Sequence, residues 1–349
     1  MIHEGSGNLL DAKVEAVVNT VNTQGAMGKG IALQFKKAFP ENFAEYELAC
    51  ERGEVVIGRV LVFTTVLPTP RYVINFPTKE HWKHPSKIEY IRDGLVDLVA
   101  QVRQRGIRSI AIPPLGCGLG GLPWSEVRPL IEGAFQDLAA VEVLLFPPGV
   151  SPMPEAMPNR TQRPSMTPGR AAILGLMDQY LRAEYEDGLS LLEVQKLAYF
   201  LQVAGEPLRL KFHRHHYGPY ADNLRQVLSR LEGHYTIGYG EGRAGPFGQL
   251  RLLPDAGRLA TEFLAAAVAT RERLSRVAHL IEGFETPLGM ELLATAHWIM
   301  AEDLTSRTDP DATITRVKDW NTRKARVMSP PQLRAAWERL QKTTWVFSG

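Results

Sequence analysis

The sequence predicts a three-layer α/β domain with a mixed, largely buried sheet, followed by a helix-rich α+β domain. Over residues 1–149, short apolar runs alternate with segments of helical periodicity, a pattern typical of a sheet covered by helices. Helical periodicity dominates residues 171–349. Seven prolines between residues 147 and 170 exclude a regular element there. We therefore predict two domains, residues 1–149 and 171–349, joined by a linker at residues 150–170.

The first domain is predicted to contain five strands and four helices. Apolar runs bounded by turn residues predict strands at residues 16–21, 60–65, 72–76, 109–112 and 141–146. Helical spacing predicts helices at residues 31–39, 42–52, 88–105 and 125–138. Ser125 is expected to cap the last helix, because a serine hydroxyl can accept a bond from an N–H group of the first turn.

The second domain is predicted to be mostly helical. Its apolar spacing predicts helices at residues 171–185, 191–203, 222–231, 256–281, 287–301 and 332–342. Three strand-like runs, at residues 208–213, 235–239 and 249–253, are expected to form a small antiparallel sheet.

The composition is that of an ordinary globular protein. The 349 residues are 44% apolar and 22% charged, which is sufficient for two cores. A formal net charge of +2 gives no strong overall field, so a polyanion must be held locally. Two cysteines, Cys50 and Cys117, suit a reducing compartment, and no apolar run reaches the roughly 18 residues of a membrane span. We expect a cytoplasmic protein without membrane association.

Two glycine-rich loops are the strongest functional signal. Residues 25–30 read Gly-Ala-Met-Gly-Lys-Gly, and residues 116–121 read Gly-Cys-Gly-Leu-Gly-Gly. Each loop follows a predicted strand and precedes a predicted helix, where free backbone N–H groups and the helix dipole favour an anion. The loops therefore predict a phosphate site, although each by itself could be a tight strand-to-helix turn.

The same residues bear on two alternative kinds of nucleotide-binding protein. Gly116, Gly118 and Gly121 fit the dinucleotide fingerprint G-x-G-x-x-G, which keeps a nicotinamide dehydrogenase open. Glu142, near the spacing expected of a ribose-binding acid, lies inside an apolar strand pattern, which weakens that alternative. A Walker-type hydrolase is disfavoured, because Lys29 is followed by glycine where the motif needs serine or threonine.

Three motifs carry a resemblance to a known family. Residues 18–32, which contain Val-Asn-Thr-Val-Asn-Thr-Gln before the first loop, and residues 112–124 resemble the two ligand loops of macrodomains, which bind ADP-ribose. Residues 75–83, Asn-Phe-Pro-Thr-Lys-Glu-His-Trp-Lys, are similar to the DNA ADP-ribosyl glycohydrolase antitoxins within that family. The resemblance spans essentially all of residues 1–149 and implies a macrodomain fold.

The resemblance also implies an ADP-ribose site. Backbone amides of the two loops would hold the pyrophosphate, and Asn22 would contact the distal ribose unless its amide only satisfies a turn. Macrodomains commonly have Asp at the position of Asn8, but an asparagine amide can still bond a base. The implied ADP-ribose-binding residues are Asn8, Leu9, Asn22, Gln24, Gly28, Gly30, Ile31, Gly116, Cys117, Gly118, Leu119 and Gly120.

Lys79 matches the catalytic lysine of these antitoxins and follows a predicted strand and a turn at Pro77. Its amine could attack the anomeric carbon if neutral, or stabilise the departing base if charged. Related lysine-using hydrolases have a carboxylate where this chain has Gly120, and its loss favours attack by a phosphate-held water. Glu80 and His81 are weaker candidates for acid or base.

No metal or cofactor is expected. Five of the nine histidines fall into two groups, His81 with His84 and three further along the chain, but neither group has suitably spaced cysteine or carboxylate ligands. The second group comprises His213, His215 and His216.

The second domain carries two further signals. Residues 192–202 and 216–220 are similar to the Panacea domain of many antitoxins, which implies binding of a partner toxin; residues 217–220 could also be a structural turn. Basic residues around Trp320 are interpreted as a solvated face, with contact to nucleic acid as the alternative. They are Arg316, Lys318, Arg323, Lys324 and Arg326.

Together these resemblances imply a two-domain antitoxin. Its first domain would remove ADP-ribose from thymidine in single-stranded DNA, and its second would sequester the DNA ADP-ribosyltransferase toxin. The alternatives are an ADP-ribose reader without turnover and a hydrolase of protein-linked ADP-ribose. The expected partners are therefore ADP-ribose, ADP-ribosylated single-stranded DNA and the cognate toxin.

Overall fold

The computed structural model of the chain describes residues 1–149, 157–184, 188–240 and 245–345. The chain divides into two compact units, Met1–Gln162 and Arg163–Gly349. The division falls within the predicted linker, of which residues 150–156 lie outside the described residues. The predicted helix end at residue 185 also lies outside them.

The first unit is built on a sheet that is mixed, as predicted, and has six strands rather than the predicted five. Its strands are β1 (Ile2–Glu4), β2 (Ala16–Asn22), β3 (Leu61–Thr64), β4 (Tyr72–Lys79), β5 (Ser109–Ile112) and β6 (Glu142–Leu145). They lie in the order β1-β6-β5-β2-β4-β3, and β3 is antiparallel to its neighbour whereas the other pairs are parallel. The sequence analysis missed β1, because its three residues are all exposed and give no apolar run.

Helices cover both faces of this sheet, which confirms the three-layer prediction. They are α1 (Gly30–Ala38), α2 (Pro40–Glu51), α3 (Ile88–Arg105) and α4 (Trp124–Phe135). Successive residues of a strand point to opposite faces. In β2, Ala16 and Val18 share a core cluster with Ile91 of α3, whereas Val17 packs with Phe35 of α1.

The predicted cap of α4 is wrong. The helix begins at Trp124, and Pro123 occupies the N-cap position without a side-chain hydrogen bond. Ser125 therefore lies inside the first turn. The fixed φ of proline starts the helix here, because Pro123 already has the extended conformation that an N-cap residue needs.

The second unit is helix-rich and contains two small sheets, as the predicted α+β class requires. Its helices are α5 (Pro168–Glu184), α6 (Leu191–Val203), α7 (Leu224–Leu231), α8 (Ala256–Ala266), α9 (Val268–Ile281), α10 (Pro287–Glu302), α11 (Leu304–Thr308), α12 (Pro310–Lys318), α13 (Thr322–Val327) and α14 (Pro330–Lys342). Its strands are β7 (Leu189–Ser190), β8 (Phe212–His215), β9 (Gly218–Ala221), β10 (Thr236–Ile237) and β11 (Gln249–Leu252).

Several predictions for this unit need correction. The single helix at residues 256–281 is two helices, since Ala267 leaves helical geometry with φ −100° and ψ 66°. The run at residues 208–213 is not the third strand of the sheet; β7 pairs with β11 instead, and β8 forms a separate hairpin with β9. Residues 218–221 are therefore a strand rather than a turn.

Three short helices were missed, namely α11, α12 and α13. The apolar periodicity of each helix is too short to predict a helix. Each does begin at an Asp or Asn residue whose side chain caps the first turn. Asp303 accepts a bond from the Ser306 amide, and Asn321 accepts one from the Lys324 amide. Among the described residues, none of the helices is long and apolar enough to cross a bilayer.

Candidate active site

The two glycine-rich loops and Lys79 meet at one edge of the first sheet. The parallel strands β2, β4 and β5 are neighbours, so their carboxyl ends lie together at this edge. The first loop follows β2, Lys79 ends β4, and the second loop follows β5. The arrangement is the one in which open α/β sheets hold ligands.

The expected turn at Pro77 is wrong, and the difference positions Lys79. Pro77 lies within β4 opposite Val21, and the strand continues to Lys79, which pairs with Asn22 across a register irregularity. The Thr23 amide donates to the Lys79 carbonyl at 3.1 Å. Lys79 is thus held by the sheet at the start of the first loop.

Asn22 orders the first loop. Its Oδ1 accepts from the Gln24 amide at 2.8 Å, and its Nδ2 donates to the Ala26 carbonyl at 2.6 Å. The buried hydroxyl of Tyr46, in α2, donates to the Asn22 carbonyl at 2.6 Å. The side chain therefore has the turn-closing role that the sequence left open. An asparagine amide has two N–H donors, so the expected ribose contact remains a prediction.

The first loop leads directly into the amino end of α1. Lys29 is the N-cap residue and makes no side-chain cap hydrogen bond, so the first turn keeps its backbone N–H groups for a ligand. Gly30 has φ +58°, a conformation that favours glycine. Gly28, Gly30 and Ile31 are therefore brought to a helix terminus that favours an anion, as predicted from the loop.

The second loop is a compact turn that uses only some of its backbone amides in its own hydrogen bonds. Cys117 donates to the Pro114 carbonyl, and Leu122 donates to the Gly116 carbonyl, both at 3.1 Å. Within the described part of the chain, the amides of residues 118–120 donate to no protein acceptor. They are thus available to a phosphate, whereas the Cys117 amide is used by the loop itself. Burial raises the pKa of the Cys117 thiol to about 11, so this thiol is protonated at neutral pH.

Leu119 connects the second loop to both other parts of the site. A Cβ built on Gly30 would lie 3.7 Å from Leu119 Cδ1, so the two loops approach each other. Lys79 Nζ donates to the Leu119 carbonyl at 2.5 Å. Burial lowers the pKa of Lys79, which increases the fraction of neutral amine at a given pH. The structure therefore brings the candidate catalyst and both predicted phosphate loops into contact.

The glycine at position 120 is required by packing. A Cβ there would lie 2.1 Å from the Gly116 carbonyl oxygen and 2.4 Å from Ser86 Oγ, so no side chain fits. Ser86, which the sequence analysis missed, also donates its amide to the Gly120 carbonyl at 2.9 Å. The carboxylate that related lysine-using hydrolases have here is thus excluded by the shape of this loop.

Glu80 and His81 lie beside the site but are held by other neighbours. Tyr90 donates its hydroxyl to Glu80 Oε1 at 2.8 Å, and His81 Nδ1 accepts from the Lys83 amide at 3.2 Å. Among the described residues, no hydrogen bond joins either side chain to Lys79. The geometry gives no support to their use as acid or base.

Asn8 and Leu9 lie at a short 3-10 turn after β1. Asn8 Oδ1 accepts from the Leu10 amide at 3.1 Å and so caps this turn. Leu9 is buried in a core cluster with Phe35 and Phe146. Their adenine-side role stays a prediction.

Other candidate sites are not supported. No group of three or more His, Cys, Asp or Glu side chains that could hold a metal occurs in the described ranges. Of the basic residues around Trp320, Arg316, Lys318 and Arg326 are exposed, as a solvated face would require, whereas Lys324 is buried and pairs with Glu291 at 2.5 Å. Arg323 pairs with the same carboxylate at 2.8 Å, and Trp320 is buried.

Comparison with known proteins agrees with this geometry. Residues 18–131 match the family model described as Macro domain. The chain is 49% identical to the DNA ADP-ribosyl glycohydrolase of Thermus aquaticus, covering 91% of this chain and 87% of that protein. It is 43% identical to the DNA ADP-ribosyl glycohydrolase of Mycobacterium tuberculosis, covering 98% of this chain and 100% of that protein.

Two further matches cover less than half of this chain. A DNA ADP-ribosyl transferase-DNA ADP-ribosyl glycohydrolase fusion protein of Thermosipho africanus is 35% identical over 36% of this chain and 36% of its own length. The solved macrodomain of Mycobacterium tuberculosis DarG is 53% identical, with a TM-score of 0.42, over 43% of this chain and 99% of that one. Because the similarity to the first two relatives extends over nearly the whole chain, the protein belongs to the DNA ADP-ribosyl glycohydrolase family and contains an amino-terminal macrodomain.

Proposed function

We propose that this protein hydrolyses the bond between ADP-ribose and thymidine in single-stranded DNA. The observation that carries the proposal is the contact of Lys79 with the second glycine-rich loop, which puts an amine beside two sets of free backbone amides. The relatives that match over most of the chain are named DNA ADP-ribosyl glycohydrolase. ADP-ribose is the product that the site would retain.

The diphosphate would be bound by the backbone. The amides of Gly30 and Ile31 at the start of α1, together with those of residues 118–120, can donate charge-assisted hydrogen bonds to its oxygens. Such a cradle needs no basic side chains, which suits a chain of net charge +2. The distal ribose would then extend past Asn22 toward Lys79.

In this arrangement, the ammonium form of Lys79 stabilises the leaving base. The bond between the anomeric carbon and the base nitrogen breaks, its electron pair goes to the thymine, and a water oxygen bonds to the carbon. The proton that this water loses neutralises the thymine anion. Gly120 favours this route over covalent lysine chemistry, because the loop has no room for a carboxylate to assist the amine.

The test is hydrolysis of an ADP-ribosylated oligonucleotide by the full chain. The Lys79→Ala variant should lose at least about a hundredfold in rate, since charge stabilisation at a developing anion supplies an effect of that order. Lys13→Ala, which removes an exposed lysine of the same unit, is the matched control and should behave as wild type. Equal rates for wild type and Lys79→Ala would overturn the proposal.

Two other functions are distinguished by the same assay. The absence of a carboxylate at position 120 favours a reader that binds ADP-ribose without turnover, and this reader would bind free ADP-ribose but release no product. A hydrolase of protein-linked ADP-ribose would act on a modified protein offered in parallel and leave the oligonucleotide intact.

We also propose that the second unit binds a DNA ADP-ribosyltransferase. Support comes from the Panacea-like motifs at residues 192–202 and 216–220, and from the fusion relative whose name combines a transferase with a glycohydrolase. Within these motifs, Lys196 Nζ donates to the Pro219 carbonyl at 2.7 Å, and Gln195 exchanges hydrogen bonds with the Ala221 backbone. These motif residues hold α6 against the β8–β9 hairpin, so the toxin contact is assigned to the unit rather than to them.

A further inference from the structure

The segment between β4 and α3, residues 80–87, borders the active site and is fixed to both loops. At its start, Thr23 Oγ1 donates to the Glu80 carbonyl at 2.7 Å. At its end, the Ser86 amide donates to the Gly120 carbonyl at 2.9 Å. Because the first contact belongs to one loop and the second to the other, the segment has a defined position at the rim of the site.

An aromatic side chain is presented on this segment. Trp82 is 40% exposed, although burial of an indole is normally favourable. Its ring stacks on His81 with 5.2 Å between centroids and 26° between planes, so the neighbouring imidazole helps to orient the indole. A partly exposed, oriented aromatic ring three residues along the chain from the proposed catalyst is suited to a flat ligand group.

The segment also carries two lysines, each of which lies near an aromatic ring. Lys83 Nζ lies 4.9 Å from the Trp82 ring centroid, and Lys87 Nζ lies 5.1 Å from that of Tyr90. The nearby carboxylate of Glu80 accepts a hydrogen bond from Tyr90. Aromatic rings on which bases stack, combined with cations that follow phosphates, are the chemistry by which proteins bind single-stranded nucleic acid.

The distance to the catalyst fits a nucleotide next to the modified one. Trp82 is three residues from Lys79, so their Cα atoms are at most about 10 Å apart. Stacked nucleotides rise about 3.4 Å along a strand, so this span is within about three nucleotides of the reacting sugar. We propose that Trp82, with Lys83 and Lys87, forms a platform on which an unpaired base flanking the ADP-ribosylated thymidine stacks. This inference rests on the proposed hydrolysis of modified single-stranded DNA.

The test compares two substrates of different length. Trp82→Ala should lower kcat/KM on an ADP-ribosylated oligonucleotide by about tenfold, the effect expected of one lost base–aromatic stack. On ADP-ribosylated thymidine mononucleotide, which has no flanking base, the same variant should match wild type. Trp82→Phe keeps a ring and should retain most of the oligonucleotide activity. Phe247→Ala, which removes an exposed aromatic ring of the second unit, is the matched control.

The outcomes separate this inference from the proposed function. If wild type cleaves neither substrate, the proposed function fails. The platform is overturned, while the hydrolase stands, if wild type cleaves both substrates and Trp82→Ala lowers kcat/KM equally on both. The same conclusion follows if the variant has wild-type kcat/KM on both substrates. Calorimetric titration with free ADP-ribose shows whether the variant still has an intact site, since its affinity should not change.

Discussion

At the scale of single residues, the position of Lys79 determines its chemistry. The amine is fixed between a strand end and the Leu119 carbonyl, and its partial burial disfavours the charged form. Its pKa is therefore below the ordinary value for lysine. The protonation state of one group thus sets the pH range of the proposed activity.

The rate should fall as pH rises through the lowered pKa of Lys79. If the ammonium stabilises the leaving thymine, protonated enzyme is the active form, and activity is lost on the alkaline side below the usual lysine range. A pH–rate profile at saturating modified oligonucleotide measures this. Lys79→Arg keeps the charge and should retain part of the activity without that alkaline loss. A rate that rises with pH, together with an inactive arginine variant, would instead indicate a nucleophilic amine.

At the scale of elements, the site is built from the junctions between strands and helices. The second loop turns tightly because the carbonyl of Gly116 lies against Gly120, and Ser86 packs against both glycines. The same compact turn leaves the amides of residues 118–120 without protein acceptors in the described ranges. Packing around one glycine therefore shapes the expected phosphate cradle.

Gly120→Ala should disturb this loop. The added Cβ would lie 2.1 Å from a backbone oxygen, which cannot move without opening the turn, so we expect about 1–3 kcal/mol lower free energy of unfolding. Affinity for ADP-ribose should fall at least about tenfold because the amides lose their alignment. Urea denaturation and calorimetry measure the two effects.

Gly133→Ala is the matched control for that substitution. Gly133 lies in α4, and a Cβ there would meet nothing within 4 Å. Alanine favours helix over glycine, so this variant should be as stable as wild type or slightly more stable. Unchanged ADP-ribose binding by Gly120→Ala would contradict the assigned role of the loop.

At the scale of the whole molecule, the two units have separate cores. The largest apolar cluster consists entirely of residues from the second unit, and the clusters around the sheet lie in the first. Each unit can therefore carry its own function, with hydrolysis assigned to the first and toxin binding to the second.

The two proposed functions should be separable by one substitution. Full-length Lys79→Ala, although inactive as a hydrolase, should still inhibit a purified DNA ADP-ribosyltransferase when present in equimolar amount, because sequestration does not use the amine. The measurement is modification of an oligonucleotide by the transferase, with the Lys13→Ala variant in parallel. A transferase that remains fully active beside excess Lys79→Ala would contradict the sequestration.

The sequence predicted the elements with strong periodicity better than the short ones. The helix at residues 88–105 and the strand at residues 109–112 were confirmed at their bounds, since a long amphipathic pattern or a compact apolar run is local information. By contrast, β1 is exposed and pairs with β6, from the far end of the unit, so its three residues carry no local signal. Lys324 was likewise expected on a solvated face because it is charged. It is buried instead, because its amine donates hydrogen bonds to Glu291 and Thr295.

By itself, the sequence predicted the division into two parts, the α/β layering of the first unit and the two glycine-rich loops of a phosphate site, because glycine spacing and apolar periodicity are properties of neighbouring residues. Only the tertiary structure decided that Lys79 bonds the second loop, that Gly120 has no room for a side chain, and that Ser86 of the segment before α3 bonds the second loop. These facts depend on contacts between β4, the second loop and the segment before α3. Parallel strands bring such segments together across long stretches of chain, and no local pattern records the contact.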